Sequence, residues 1–118
     1  MSEATALPHL ITQIDPALAA EVRDLVRRLR QAAHPRELKS EAADTVVRLT
    51  SAGLEAFFLR PVERLELGLV AQSTVRLGLK TSSQGVGLVV RRVFDGMDDE
   101  KMRRVADIFA ATVVDLED

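Results

Sequence analysis

The side chains that could do chemistry in this sequence are few, and their spacing does not favour a metal site. The two histidines, His9 and His34, are isolated from each other, and neither belongs to an HExxH motif or to a histidine–carboxylate pair on one helix face. The chain contains no cysteine, which removes thiolate ligands and disulfide bonds. We therefore expect no bound metal ion.

Nucleophiles and acid–base pairs lack the surroundings of a catalytic site. No serine lies in a G-x-S-x-G elbow, and without cysteine or tyrosine, acid–base chemistry would fall to carboxylates. The pair Glu41 with Asp44 and the run Asp98–Glu100 are better explained as helix caps or solvated faces. Gly85-Val86-Gly87 lacks the third glycine of a dinucleotide-binding loop. The sequence therefore predicts a protein that is not an enzyme and uses no cofactor.

A basic cluster lies around the corner predicted between the first two helices. Such a cluster can contact phosphates or acidic lipids, but nearby acids balance it and the net charge of the chain is −2. There is no tryptophan or tyrosine to stack on bases, and only 4 phenylalanines. Nucleic-acid binding is therefore kept only as an alternative function. The candidate anion contacts are Arg27, Arg28, Arg30, His34, Arg36 and Lys39.

Composition indicates one globular domain. The chain has 118 residues, of which 47% are hydrophobic and 29% are charged. We expect an irregular N-terminal segment at residues 1–14 and a single helical domain at residues 15–118. No targeting or membrane-spanning segment is apparent, because an acid stands near the N-terminus and no apolar run approaches about 20 residues. Together with the lack of cysteine, this predicts a cytoplasmic protein.

The first and last helices are the clearest. Asp15-Pro16 combines a preferred N-cap with proline at the first helical position, and Asp98 is an N-cap followed by acids. Both segments carry apolar residues at helical spacing. The first stripe is Leu18, Val22, Leu25, Leu29 and Ala32, and the last is Met102, Val105, Ala106, Phe109, Val113 and Leu116.

The middle of the chain is harder to interpret. A second helix is predicted from about Pro35 to the late fifties, with Pro61 as its end and as the start of the next element. Residues 62–94 fit a third helix, long or broken near residues 82–85. They also fit a three-stranded meander, because leucines and valines alternate there. We favour the helix, because glycines would fall inside each strand and neither turn contains Asn-Gly or Asp-Gly.

The predicted fold is an all-α bundle of four main helices, with an α+β meander at residues 62–94 as the alternative. Read as a helix, residues 62–94 carry a seam of mostly small residues that another helix could cover, from this chain or from a second copy. The predicted function is a helical interaction or oligomerisation module, forming a homodimer or binding another protein. The alternative to a protein partner is peripheral contact with a lipid or hydrophobic granule surface. The candidate interface is Leu54, Phe57, Phe58, Leu59, Gly68, Ala71, Val75, Gly78, Ser82, Gly85 and Val89.

Overall fold

The computed structural model describes residue 8 and residues 10–115, and this part of the chain is helical without strands. Its helices are α1 (Pro16–Gln31), α2 (Lys39–Leu54), α3 (Arg60–Arg64), α4 (Leu69–Asp95) and α5 (Asp99–Thr112). A 3-10 turn, Pro35–Leu38, precedes α2, and a π-helical segment, Glu55–Leu59, joins α2 to α3. The predicted all-α fold is confirmed, and the alternative meander at residues 62–94 is wrong.

Pro61 does not end the second helix, contrary to the prediction. Arg60 keeps helical angles, with φ −61° and ψ −42°, and its N–H donates to the carbonyl of Glu55, five residues back. Proline has no N–H, and its ring collides with the carbonyl four residues earlier in a regular α-helix. The wider π-helical turn before Pro61 relieves this collision, so that the helix continues to Arg64.

The reversal between α3 and α4 lies several residues after Pro61. Glu66 and Gly68 both have positive φ, 53° and 94°. Glycine adopts such angles without the steric cost that other residues carry. The third long helix therefore begins at Leu69, not at Pro61, and it runs without a break through residues 82–85 to Asp95.

The first and last helices begin as their caps predict. The Asp15 carboxylate accepts a hydrogen bond from the N–H of Ala17 at 2.8 Å, and Pro16 follows as the first helical residue. The Asp98 carboxylate accepts one from the N–H of Lys101 at 2.9 Å. These bonds satisfy amide groups that have no partner inside the helix.

The core lies where α1, α5, the first half of α2 and the end of α4 meet. α1 packs mainly against α5, and α2 packs mainly against α4. The predicted stripes of α1 and α5 supply most of the core, although Leu116 lies outside the described residues. The buried cluster is Val22, Leu25, Val26, Leu29, Ala42, Ala43, Phe94, Met102, Val105, Ala106 and Phe109.

The N-terminal segment has no regular secondary structure at Pro8 or at residues 10–14. The rest of the segment predicted to be irregular, residues 1–7 and residue 9, lies outside the described residues.

Candidate interaction surface

A helical hairpin projects from the core. None of residues 46–86 is buried, although every core element on either side of this range contains buried residues. We call residues 46–86 the projecting hairpin; it consists of most of α2, the π-helical segment, α3 and most of α4. The molecule measures 51 × 42 × 26 Å along its principal axes, which is elongated for a chain of this length. The hairpin is therefore held mainly by the contact between α2 and α4, while Val46 and Leu49 at its base pack against the core cluster.

Inside the hairpin, α4 contacts α2 along one side. Leu79, Val86 and Val90 are half-buried on this side, and Phe94 continues it into the core. The hydroxyl groups of Ser51 and Ser83 lie 2.9 Å apart and link the two helices by a hydrogen bond. This side of α4 is the one that the chain itself covers.

The opposite side of α4 is uncovered and carries large apolar side chains, although the polar residues Thr74, Thr81 and Arg92 share it. We call it the outer face, and its apolar and small residues are Val70, Leu77, Gly78, Ser82, Gly85, Leu88 and Val89. The side chains of Val70 and Leu88 are 82% and 74% exposed. The sequence of α4 contains no Asp or Glu before Asp95, so no carboxylate of this helix interrupts the face. An exposed apolar face of this length is typical of an interaction site.

Other large apolar side chains are exposed close to the hairpin turn. Leu65, Leu67 and Leu69 are 67%, 57% and 80% exposed around the reversal between α3 and α4. Phe57 and Phe58, in the π-helical segment, are 45% and 56% exposed. The hairpin thus carries seven of the fourteen large exposed apolar side chains of the described chain.

The structure distributes the predicted interface residues over two regions. Gly78, Ser82, Gly85 and Val89 lie together on the outer face, as a seam open to solvent. The remaining members fall elsewhere on the hairpin. Leu54, Leu59, Ala71 and Val75 are half-buried, and Phe57, Phe58 and Gly68 are exposed beside the turn or the π-helical segment.

Sequence reasoning missed part of this surface. Leu65, Leu67 and Leu69 were interpreted only as part of an alternating, strand-like run. Leu77 and Leu88, which neighbour the seam of small residues, were not included in the candidate interface. Helical spacing places Leu77 and Leu88 next to Gly78 and Gly85 on one side of a helix, so the signal was present in the periodicity.

The basic cluster is largely paired with carboxylates of its own chain. Arg28 donates to Glu41 at 2.6 and 2.7 Å, and also to Asp24 at 2.8 Å. Arg27 pairs with Asp24 as well, and Arg30 with Asp107 at 3.1 Å. The pairs with Glu41 and Asp107 tie α1 to α2 and to α5. The structure therefore offers an external anion fewer free guanidinium groups than the sequence suggested.

The rest of the basic cluster holds the corner before α2. His34 lies 3.4 Å from the carboxylate of Asp99, which also accepts a hydrogen bond from the backbone N–H of Arg36 at 3.0 Å. The ammonium group of Lys39 donates to the backbone carbonyl of Asp95 at 3.3 Å. These contacts join the corner between α1 and α2 to the end of α4 and the start of α5.

Three of these carboxylates, Asp24, Glu41 and Asp99, have lowered pKa values. Hydrogen bonds from Arg27 and Arg28 lower the pKa of Asp24, and the Arg28 guanidinium lowers the pKa of Glu41. The backbone N–H of Arg36 is the main cause that lowers the pKa of Asp99, with His34 second. Each shift stabilises the charged carboxylate, which suits a structural ion pair and not a proton donor near neutral pH.

A largely apolar cavity lies between the N-terminal segment, α2 and the end of α5. It has a volume of about 230 Å³ and is lined by Leu10, Ile11, Thr12, Ile14, Leu49, Gly53, Thr112, Val113 and Val114. These residues include no charged group. Ligand pockets usually enclose about 300–1,000 Å³, so this cavity is small for a substrate site.

Neither a metal centre nor a membrane-crossing helix is found in the part of the chain that the structure describes. Over residue 8 and residues 10–115, no three His, Asp or Glu side chains are grouped so that they could hold a metal ion. Within the same residues, no helix has the length and apolar character needed to cross a membrane. Comparisons of the chain with protein-family models, curated proteins and solved structures give no match.

Proposed function

We propose that this protein is a non-enzymatic interaction module that associates through its projecting hairpin. One observation carries the proposal. Residues 46–86 contain no buried residue, and yet this hairpin and the rest of the outer face carry many large apolar side chains exposed to solvent. Burial of this apolar surface against another surface lowers the free energy, because it removes the apolar side chains from water. The hairpin therefore acts as a contact element and the core as its support.

The size of the apolar surface is adequate for a specific complex. Complete burial of a Leu or Val side chain contributes about 1.5–3 kcal/mol, which corresponds to about 60–120 Å² at 25 cal/mol per Å². Ten large apolar residues between Phe57 and Val93 are 45–82% exposed. At about two-thirds exposure, they offer on the order of 400–800 Å² per chain. A standard interface buries about 800 Å² per partner, with polar neighbours included.

The absence of chemistry and the cellular location remain predictions. The ion pairs around Arg28 and Asp99 are accounted for by packing between helices, and this supports a structural role for them. The cytoplasmic location is supported by the lack of cysteine in the sequence.

Light scattering after size-exclusion chromatography tests the proposal. The chain has a mass of 13.0 kDa, and we expect a higher mass over a series from about 1 to 100 µM protein. The variant Leu77→Asp places a charge on the outer face and should shift the protein to 13.0 kDa. The matched control is Ile108→Asp on α5, because Leu77 and Ile108 are 66% and 62% exposed. A mass of 13.0 kDa for the unaltered chain throughout the series would contradict self-association. Equal effects of the two variants would contradict the assignment to the hairpin.

A second candidate function is binding to a lipid or hydrophobic granule surface. It is supported by Leu65, Leu67, Leu69 and Val70, which are 57–82% exposed around the reversal between α3 and α4 and form an apolar tip that could enter a lipid surface. Co-sedimentation with neutral and anionic vesicles tests it, with Leu67→Asp as the variant that should release the protein. If no vesicle retains the unaltered chain, this function is excluded.

A further inference from the structure

The outer face of α4 is the part of the hairpin surface whose shape and charge can be followed furthest. Its large side chains, among them Val70, Leu77 and Leu88, recur on one side of the helix over more than five turns. Four of the ten exposed residues counted above, Val70, Leu77, Leu88 and Val89, lie on this face, and a symmetric pair contributes them twice, which gives about 320–640 Å² of apolar area. Stable interfaces bury about 1,200–2,000 Å² with their polar surroundings. A pair built on this face is therefore a weak, concentration-dependent contact, in which a second copy of the chain presents the same apolar surface in return.

Gly78 and Gly85 lie at the position along α4 where a second helix could approach most closely. Gly78 and Gly85 are exposed on the same side of α4, and a Cβ atom at either position would meet nothing within 4 Å. Each glycine costs a helix about 1 kcal/mol relative to alanine. No contact within one chain requires glycine at either position. With Ser82 between them, they form a shallow stretch in which a facing helix can approach below the usual 8–10 Å between axes.

Charge determines the direction of the second helix. Arg92 lies on the same side of α4 as Gly85, and the structure gives it no ion pair among the described residues. In a parallel pair, each Arg92 would stand beside the Arg92 of the second copy, where like charges repel. In an antiparallel pair centred near residue 80, Arg92 of one copy lies level with residue 68 of the other. Glu66, exposed at the turn, is then within reach of a long arginine side chain.

We propose that a second copy of this chain covers the outer face, with the two α4 helices antiparallel and crossing between Gly78 and Gly85. The inference rests on the proposed function, since it identifies the partner and the geometry of the same surface. In this arrangement Arg92 of each copy pairs with Glu66 of the other, and the apolar side chains on either side of the glycines exclude water. The antiparallel arrangement also opposes the two helix dipoles.

Distances between spin labels test the geometry directly, because the cysteine-free chain accepts single cysteines without background labelling. In the antiparallel pair, labels on Ser82→Cys lie about 20 Å apart or less, close to the crossing. Labels on Val70→Cys lie about 30 Å or more apart, because ten residues separate each from the centre at 1.5 Å per residue. A dimer in which both labelled variants give short distances is parallel and overturns this inference, while the proposed function stands. A labelled protein of 13.0 kDa at all concentrations overturns both. A dimer without a short distance at Ser82→Cys also overturns the inference, because its contact lies elsewhere.

Charge reversal supplies a second readout. Arg92→Glu and Glu66→Arg should each weaken the dimer on the order of tenfold, because each places like charges together at the rim of the contact. The double variant restores the opposite pairing and should recover most of the affinity. Lys101→Glu on α5 is the control, and it should leave the dimer unchanged. Without recovery in the double variant, the proposed pairing of Arg92 with Glu66 is wrong.

Discussion

Replacing Gly85 by alanine should stabilise a single chain, although glycine at this position is central to the proposed contact. Gly85 lies well inside α4, and a Cβ atom built on it meets no other atom within 4 Å. Alanine is favoured over glycine in a helix by about 0.8–1.0 kcal/mol. We expect the free energy of unfolding to rise by about this amount, which corresponds to about 3–6 °C in Tm for a domain of this size.

The matched control for Gly85 lies two residues further along the same helix. A Cβ atom on buried Gly87 would approach Nη1 of Arg91 to 3.1 Å and Cγ2 of Val47 to 3.7 Å. Arg91 also pairs with Asp44 at 2.9 Å, so its guanidinium would have to move within that pair. Gly87→Ala therefore changes the backbone in the same way but loses part of the gain to the displaced ion pair, and its Tm should rise less.

Thermal unfolding followed by circular dichroism at 222 nm measures both variants. The measurement is made on dilute protein with a mass of 13.0 kDa, so that association does not contribute to the stability. At higher concentration, Gly85→Ala should weaken the dimer, because a methyl group fills the level at which the helices come closest. A lower Tm for dilute Gly85→Ala would refute the open, solvent-exposed position of this residue in α4. A gain from Gly87→Ala as large as that from Gly85→Ala would refute the reasoning about Arg91.

Three further predictions concern the core, acid stability and a helix cap. Replacing Leu29, which is 0% exposed, by alanine should lower the free energy of unfolding by about 2–5 kcal/mol. Leu77→Ala, at a residue that is 66% exposed, should change it by less than about 0.5 kcal/mol when dilute protein is unfolded in urea. The pKa of Asp99 is lower in the folded protein, mainly through the backbone N–H of Arg36. The stability that Asp99 contributes is therefore present above the pKa of this carboxyl in the unfolded chain and is lost as the pH falls through its pKa in the folded protein. Asp99→Asn should flatten the fall in Tm below about pH 4. Asp15→Ala should cost about 1 kcal/mol and Asp15→Asn much less, as both amide and carboxylate oxygens can cap Ala17; equal losses in the two variants would exclude a capping role.

The helical state of the chain and the core-facing sides of α1 and α5 could be predicted, because the residues that determine them are close together in the sequence. The cap at Asp15 acts on an amide two residues away, and the stripe from Val22 to Leu29 repeats with the helical period. Pro61 was misjudged because its usual effect assumes a regular α-helix, whereas a wider turn before it leaves the helix continuous. No residue pattern around Glu55–Leu59 predicted the π-helical segment.

The sequence by itself determined that this chain is helical, where its first and last helices begin, and which residues form most of its core. Only the tertiary structure decided which side of α4 is covered. Leu79, Val86 and Val90 on one side and Leu77 and Leu88 on the other all recur at helical spacing, and periodicity records that a side is apolar without recording what packs on it. Because α2 can cover one side only, the glycine-containing side stays exposed, and from this follows the surface on which the proposed dimer depends.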